Sequence, residues 1–254
     1  MCATCGCSGD TILVHEHNHD HDHEHGHDHG HGHGHPEPQT RTVTLEQAVL
    51  ARNDALAELN REWLAQRGIL AVNLMSSPGA GKTTLLERTI RELGAELRVS
   101  VVEGDQETVL DADRIRATGA PAVQINTGSG CHLDAQMLAG GLRTLNPPDR
   151  SVVLIENVGN LVCPALFDLG EQARIVITSV TEGAEKPRKY PQMFRAADLV
   201  LLNKIDLLPY VDFDVEAFLE GARRANPGVE VLQLSATTGE GIGDWYGWLR
   251  ARLP

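Results

Sequence analysis

No lysine or arginine occurs before Arg41 in this 254-residue sequence. The N-terminus has no apolar core of the signal-peptide kind either, since Thr11–Val14 is too short to form one, so a secretory signal is not expected. No run is long and apolar enough to span a bilayer. The net charge of −13 leaves no basic face for nucleic acid. Internal repeats are absent. A cytoplasmic location is the expectation, and there the five cysteines stay reduced. They are then available as metal ligands rather than paired in structural disulfides.

Residues 1–40 also have almost no apolar side chains, so they cannot bury a core and read as a disordered metal-binding tail. What they contain instead is donor atoms. Eleven histidines alternate with Asp, Glu, Gly and Asn: His15, His17, His19, His21, His23, His25, His27, His29, His31, His33 and His35. Such imidazoles on a flexible chain suit weak, fast-exchanging storage of several divalent ions. Cys2, Cys5 and Cys7 can close around one ion. Square-planar sulfur and nitrogen ligation favours Ni(II), whereas Zn2+ accepts the same thiolates tetrahedrally, so the sequence leaves the metal open.

Residues 41–254 read as one α/β domain, a mostly parallel sheet flanked by helices. A first helix is predicted to open at Thr44, where Thr44 and Gln47 fit a capping box. It carries Leu45, Val49, Leu56, Leu59 and Trp63 at helical spacing as its packing face, and Gly68 can close it. Seven apolar runs then read as strands: 69–75, 97–102, 122–125, 152–155, 175–180, 199–202 and 229–234. Runs without alternating polar residues suit strands buried on both faces, as in a parallel sheet. A last helix, near Gly241 to Leu253, carries Trp245 and Trp248 as packing residues.

Two motifs about a domain apart carry the chemistry. SSPGAGKTT, Ser76 to Thr84, lies between a strand and a helix, the context a phosphate-binding loop requires. Gly79, Ala80, Gly81 and Thr84 frame the loop, Lys82 reaches the β and γ phosphates, and Thr83 offers a hydroxyl to Mg2+. Ser76 stands where the motif usually has its first glycine. NKID, Asn203 to Asp206, follows a strand. Asp206 can accept from guanine N1–H and its 2-amino group, donors that adenine lacks. Lys204 can lie along the base, and Ser235-Ala236-Thr237 resembles a loop that contacts guanine O6. Together the motifs imply a GTPase. Asp105, after the second strand, and Glu156, after the fourth, are candidate Mg2+-side carboxylates, and the Gly159 N–H is a candidate γ-phosphate sensor. No catalytic glutamine or arginine finger is identifiable, which points to slow turnover. Cys131-His132 and Cys163 form a second soft-donor set: Cys163 follows the γ-phosphate-sensing segment by only a few residues, and Cys131 precedes the helix that leads toward it.

These motifs, in this order, resemble the P-loop GTPases of the signal-recognition-particle, MinD and BioD class. More narrowly, the strings NLMSSPGAGKTTLLE, EGDQET, TGSGCH, IENVGNLVCPA and NKIDLLPY resemble the nickel-incorporation GTPases of nickel–iron hydrogenase maturation, the accessory protein B family. The resemblance runs from about Thr44 to the C-terminus. It implies a homodimer in the GTP state that passes Ni2+ toward the hydrogenase large subunit with a maturation partner protein. It also implies a metal site at the dimer interface, built from Cys131, His132 and Cys163. Some members carry an N-terminal CxxCGC nickel motif, present here as Cys2 to Cys7, and others a histidine-rich store. Two alternatives remain at this stage: a metallochaperone for urease or a cobalamin enzyme, and a nickel-buffering protein whose GTPase domain governs dimerisation.

Overall fold

Seven of the apolar runs form seven parallel strands. In the computed structural model the backbone is described for residues 38–105 and 110–253, and side chains for 47–105 and 113–253. Cys2, Cys5, Cys7 and the eleven tail histidines lie outside the described residues. In chain order the elements are α1 (Pro38–Gln66), β1 (Leu70–Ser76), α2 (Lys82–Leu93), β2 (Val99–Asp105), α3 (Leu110–Arg116), β3 (Ala122–Asn126), α4 (Ala135–Leu145), β4 (Val152–Glu156) and β5 (Ala173–Ser179). They continue as α5 (Lys186–Lys189), α6 (Pro191–Arg195), β6 (Leu199–Asn203), α7 (Val215–Ala225), β7 (Glu230–Gln233) and α8 (Ile242–Arg250). Among the described residues no helix is long and apolar enough to cross a membrane.

The sheet order is β3-β2-β4-β1-β5-β6-β7. β1 leads toward β2 on one side of the sheet, and β5 leads to β6 on the other. That reversal opens a crevice at the carboxyl ends of the central strands, where ligands bind in open α/β sheets. The five inner strands are buried on both faces, as their apolar runs require, whereas the edge strands β3 and β7 are half-buried to exposed. Leu74, Leu154 and Ile175 pack with Leu85, Ile115 and Trp245 from α2, α3 and α8. On the opposite face Val176, Val200 and Leu202 pack with Phe194 and Phe218 of α6 and α7. Beside them Val102, Val153 and Ile155 pack with Leu64 of α1 and Leu138 of α4. Trp245 and Trp248 are both buried, their rings stacked 5.7 Å apart.

α1 departs from the sequence reading twice. It begins at Pro38 rather than Thr44, within the segment read as tail, because a proline fits a first helical turn whose N–H needs no partner. Its packing face also differs, although Trp63 does pack against the core. Val49 and Leu59 are 46% and 60% exposed, whereas Asn53, Ala57, Asn60 and Leu64 are buried. The two asparagines dock the helix by hydrogen bonds. Asn60 Nδ2 donates to the Ala135 and Leu169 carbonyls at 2.8 and 2.9 Å. Asn53 Nδ2 donates to the Asp168 carbonyl at 2.7 Å, and its Oδ1 accepts the Ala135 N–H at 2.9 Å. The helix thus satisfies polar backbone at the start of α4 and in the loop before β5, which apolar side chains could not do.

Candidate functional site

The phosphate loop leaves β1 at Ser76 and enters α2 at Lys82. Gly81 has φ +98°, and a Cβ built there would lie 2.5 Å from Asn203 Nδ2, so both backbone and space require glycine. Gly79 also needs a positive φ, +76°. Lys82 Nζ donates to Ser76 Oγ at 2.8 Å, so the serine in place of the usual first glycine holds the lysine across the loop. Thr83 Oγ1 donates to Glu156 Oε1 at 2.8 Å. A cavity of about 500 Å3 opens here, lined among others by Gly79, Gly81, Lys82, Thr83, Thr84 and Gly159. That volume lies within the usual range of small-ligand sites, ~300–1,000 Å3. Glu103, Asp105 and Glu156 face the same space. Glu103 and Asp105 belong to β2 rather than to a loop after it. A hydroxyl with nearby carboxylates is the oxygen-donor set that suits Mg2+.

The second motif is bound to the first. Asn203 Nδ2 donates to the Ala80 carbonyl at 2.9 Å, while its Oδ1 accepts the N–H groups of Lys204 and Ala236 at 2.8 and 3.0 Å. Lys204 Nζ donates to the Gly79 carbonyl at 2.7 Å. Ser235 is fully buried and its Oγ accepts the Thr238 N–H at 3.0 Å, which closes the turn after β7. Asp206 Oδ1 is buried and has no hydrogen-bond partner among the described residues. A buried acceptor left without a donor is costly, and guanine supplies donors of the matching kind.

The metal candidates converge. Cys131 Sγ lies 3.0 Å from Cys163 Sγ and 3.7 Å from His132 Nδ1. The three ligand atoms all fall within 4.8 Å of one another, close enough for one ion. Cys163 is 1% exposed, while Cys131 and His132 are half-buried. The His132 ring sits against Phe167, centroids 3.9 Å apart. Burial pushes the His132 pKa down, with Asp134 opposing, which favours the neutral imidazole that a metal needs. Three donors leave a fourth position for another ligand.

Several neighbours of these sites are not marked by any motif. Arg114 of α3 lines the nucleotide cavity, though no arginine was identifiable for it in the sequence. Its guanidinium reaches Glu87 Oε2 at 3.1 Å and Thr84 Oγ1 at 3.5 Å. Phe167 and the α1 asparagines have no motif either. The one available signal was Asn53 and Asn60, two poor helix formers seven residues apart that bracket Ala57 on one face.

The pattern of the CobW/HypB/UreG nucleotide-binding domain matches residues 70–233. The chain is 57% identical over 205 residues to the hydrogenase maturation factor HypB of Azotobacter vinelandii, covering 81% of this chain and 68% of that one. It is 56% identical over 208 residues to HypB of Escherichia coli K12, covering 82% and 72%. The crystal structure of HypB from Archaeoglobus fulgidus superposes with a TM-score of 0.75 at 44% identity, covering 80% of this chain and all of that one. That of HypB from Helicobacter pylori in complex with nickel gives 0.74 at 38% identity, covering 79% and 94%. Nucleotide-binding loop, strand order and relatives agree: this chain belongs to the CobW/HypB/UreG family, among its HypB hydrogenase maturation factors.

Proposed function

We infer that the protein is a nickel-carrying GTPase for nickel–iron hydrogenase maturation, hydrolysing GTP to GDP and phosphate. The observation that carries this reading is the convergence of Cys131, His132 and Cys163, with Cys163 a few residues beyond the 156–159 segment that lines the nucleotide cavity. Thiolate and imidazole are the donors that suit nickel and zinc; the relatives' names support hydrogenase maturation, and the nickel-bound Helicobacter pylori protein supports nickel.

In this reading Asp206 selects guanine, Lys204 flanks the base, and Asn203 keeps base loop and phosphate loop in register. Lys82 neutralises the β and γ oxygens. Thr83, Asp105 and Glu156 hold Mg2+, directly or through water, and the ion supplies charge neutralisation to the phosphates when bound. The Gly159 N–H reads the γ-phosphate, and water attacks it. Turnover is slow, as suits a timer. GTP favours a homodimer, in which a second copy completes the three-donor metal set. Cys2, Cys5 and Cys7 form a separate tight Ni2+ site, and the tail histidines a weak store. Zn2+ competes for the thiolates.

The test is hydrogenase activity in cells whose own copy is replaced by this chain or by its Cys163→Ser variant. The native chain should restore activity, and Cys163→Ser should restore it only with excess nickel in the medium. Equal activity from the two without added nickel would contradict the reading.

A further inference from the structure

One segment runs from the nucleotide cavity to the metal cluster. Residues 156–159 line the cavity, and the chain reaches Cys163 a few residues later. Asn157 of this segment is turned inward and is 1% exposed. Its Oδ1 accepts two N–H groups, that of Val158 at 3.0 Å and that of Leu133 at 3.1 Å. Val158 precedes Gly159 at the cavity, and Leu133 follows His132 in the metal loop. One carbonyl oxygen therefore serves both segments with its two lone pairs.

The carboxamide is held from behind. Asn157 Nδ2 donates to Asn73 Oδ1 at 3.2 Å, in the middle of β1. Asn73 Nδ2 donates to Glu171 Oε1 at 3.1 Å, which also accepts from Arg174 Nε at 2.8 Å. The far end of the metal loop is fixed too, since Ala135 is held through both its N–H and its carbonyl by Asn53 and Asn60. Asp134 is held as well, capping α4 with its Oδ1 on the Met137 N–H at 2.7 Å, so residues 131–133 are the part left to adjust.

We propose that Asn157 is the positioning residue that transmits nucleotide state to the nickel ligands, through the Leu133 N–H. The proposal rests on the reading of the two sites given above. Gly159 packs directly on the phosphate loop, where an added Cβ would lie 3.1 Å from Pro78 N. A γ-phosphate that draws the Val158–Gly159 backbone toward it shifts the donor on one lone pair of Asn157. The Leu133 N–H must then follow the carboxamide or stand unpaired in a buried place, which is costly. Either outcome changes the approach of His132 and Cys131 to Cys163. By reciprocity, nickel bound there alters nucleotide affinity by the same factor.

The experiment uses the full chain with Cys2, Cys5 and Cys7 changed to Ser, so that the tail thiolates do not mask the site. Ni2+ is titrated at saturating GDP and at a saturating non-hydrolysable GTP analogue, with and without Asn157→Ala. In parallel, the Leu133 amide is followed by NMR on leucine-labelled protein carrying Asn157. The parent should show a nickel-affinity ratio of about 5- to 150-fold between nucleotides, the usual span of coupling, and a shifted Leu133 amide. Asn157→Ala should bring the ratio to within about twofold. A parent ratio retained in Asn157→Ala overturns this inference alone, and so does an unmoved Leu133 amide. The amide test decides the matter if Asn157→Ala does not fold. A parent ratio of one overturns the inference together with the coupling claimed for the two sites.

Discussion

Thr83 Oγ1 donates to Glu156 Oε1 across 2.8 Å, joining the first turn of α2 to the last residue of β4. The contact fixes where the phosphate loop stands relative to residues 157–159, which continue toward Cys163. Loss of the hydroxyl should therefore affect more than magnesium. Thr83→Ala is expected to weaken GTP hydrolysis strongly and to raise the Mg2+ concentration needed for half-maximal rate by about tenfold, the effect of one charge-assisted hydrogen bond. A magnesium titration of initial rates checks this.

Lys82→Ala removes the ammonium that Ser76 holds over the loop. Hydrogen bonds to charged groups are worth about 1.5–3 kcal/mol, so GTP affinity should fall by about 10- to 100-fold and hydrolysis should be lost. Circular dichroism should show the native helix content, because Lys82 caps no apolar contact. Native hydrolysis by this variant would place the phosphate site elsewhere.

The unpartnered Asp206 Oδ1 predicts base choice. Asp206→Asn should cost GTP at least about 100-fold in affinity and gain xanthosine triphosphate, whose 2-oxo group meets the new amide donor. Sites that hydrogen-bond a ligand discriminate that strongly against one lacking the partner. Competition binding of GTP, ATP and xanthosine triphosphate to native and variant proteins reads the switch.

Among the described residues, Arg114 is the one α3 side chain that lines the cavity. If it swings from Glu87 to the phosphates, it supplies in cis the cation that an arginine finger supplies in trans. Arg114→Ala should lower kcat about 100-fold or more with little change in KM for GTP. A rise in KM at constant kcat would instead make Arg114 a ground-state contact.

Asp168 ties α1 to the loop before β5. Burial alone would raise its pKa, but the Gly170 N–H, Arg174 and Arg61 prevail and hold it below the usual carboxylate range. The folded state thus binds the proton more weakly than the unfolded chain. Its contribution is present above the unfolded pKa of about 4 and is lost as pH falls through the folded value. Asp168→Asn should cost about 1–2 kcal/mol at neutral pH, and the difference from native should shrink as denaturation is measured at successively lower pH.

The inner strands were legible because burial on both faces leaves unbroken apolar runs, and the nucleotide motifs because glycine, lysine and aspartate there answer to fixed phosphate and base geometry. Cys131, His132 and Cys163 were legible as soft donors, and the fold brings them together. The docking face of α1 was not. Apolar periodicity pointed to Val49 and Leu59, but the helix meets loop ends with free carbonyls and N–H groups, which Asn53 and Asn60 satisfy. Arg114 was hidden for another reason. It comes from a helix beyond β2, and only the sheet order sets it beside Thr84.

The central claim is that one nucleotide site governs one nickel site in the same chain. The most direct measurement is the GTP-analogue dissociation constant of the full chain, with Cys2, Cys5 and Cys7 changed to Ser, determined with and without saturating Ni2+. It is repeated with Cys163→Ser. Nickel should change nucleotide affinity at least about fivefold, and Cys163→Ser should abolish the change while leaving nucleotide bound. Identical affinities with and without nickel, or a change that survives the loss of Cys163, would contradict the claim.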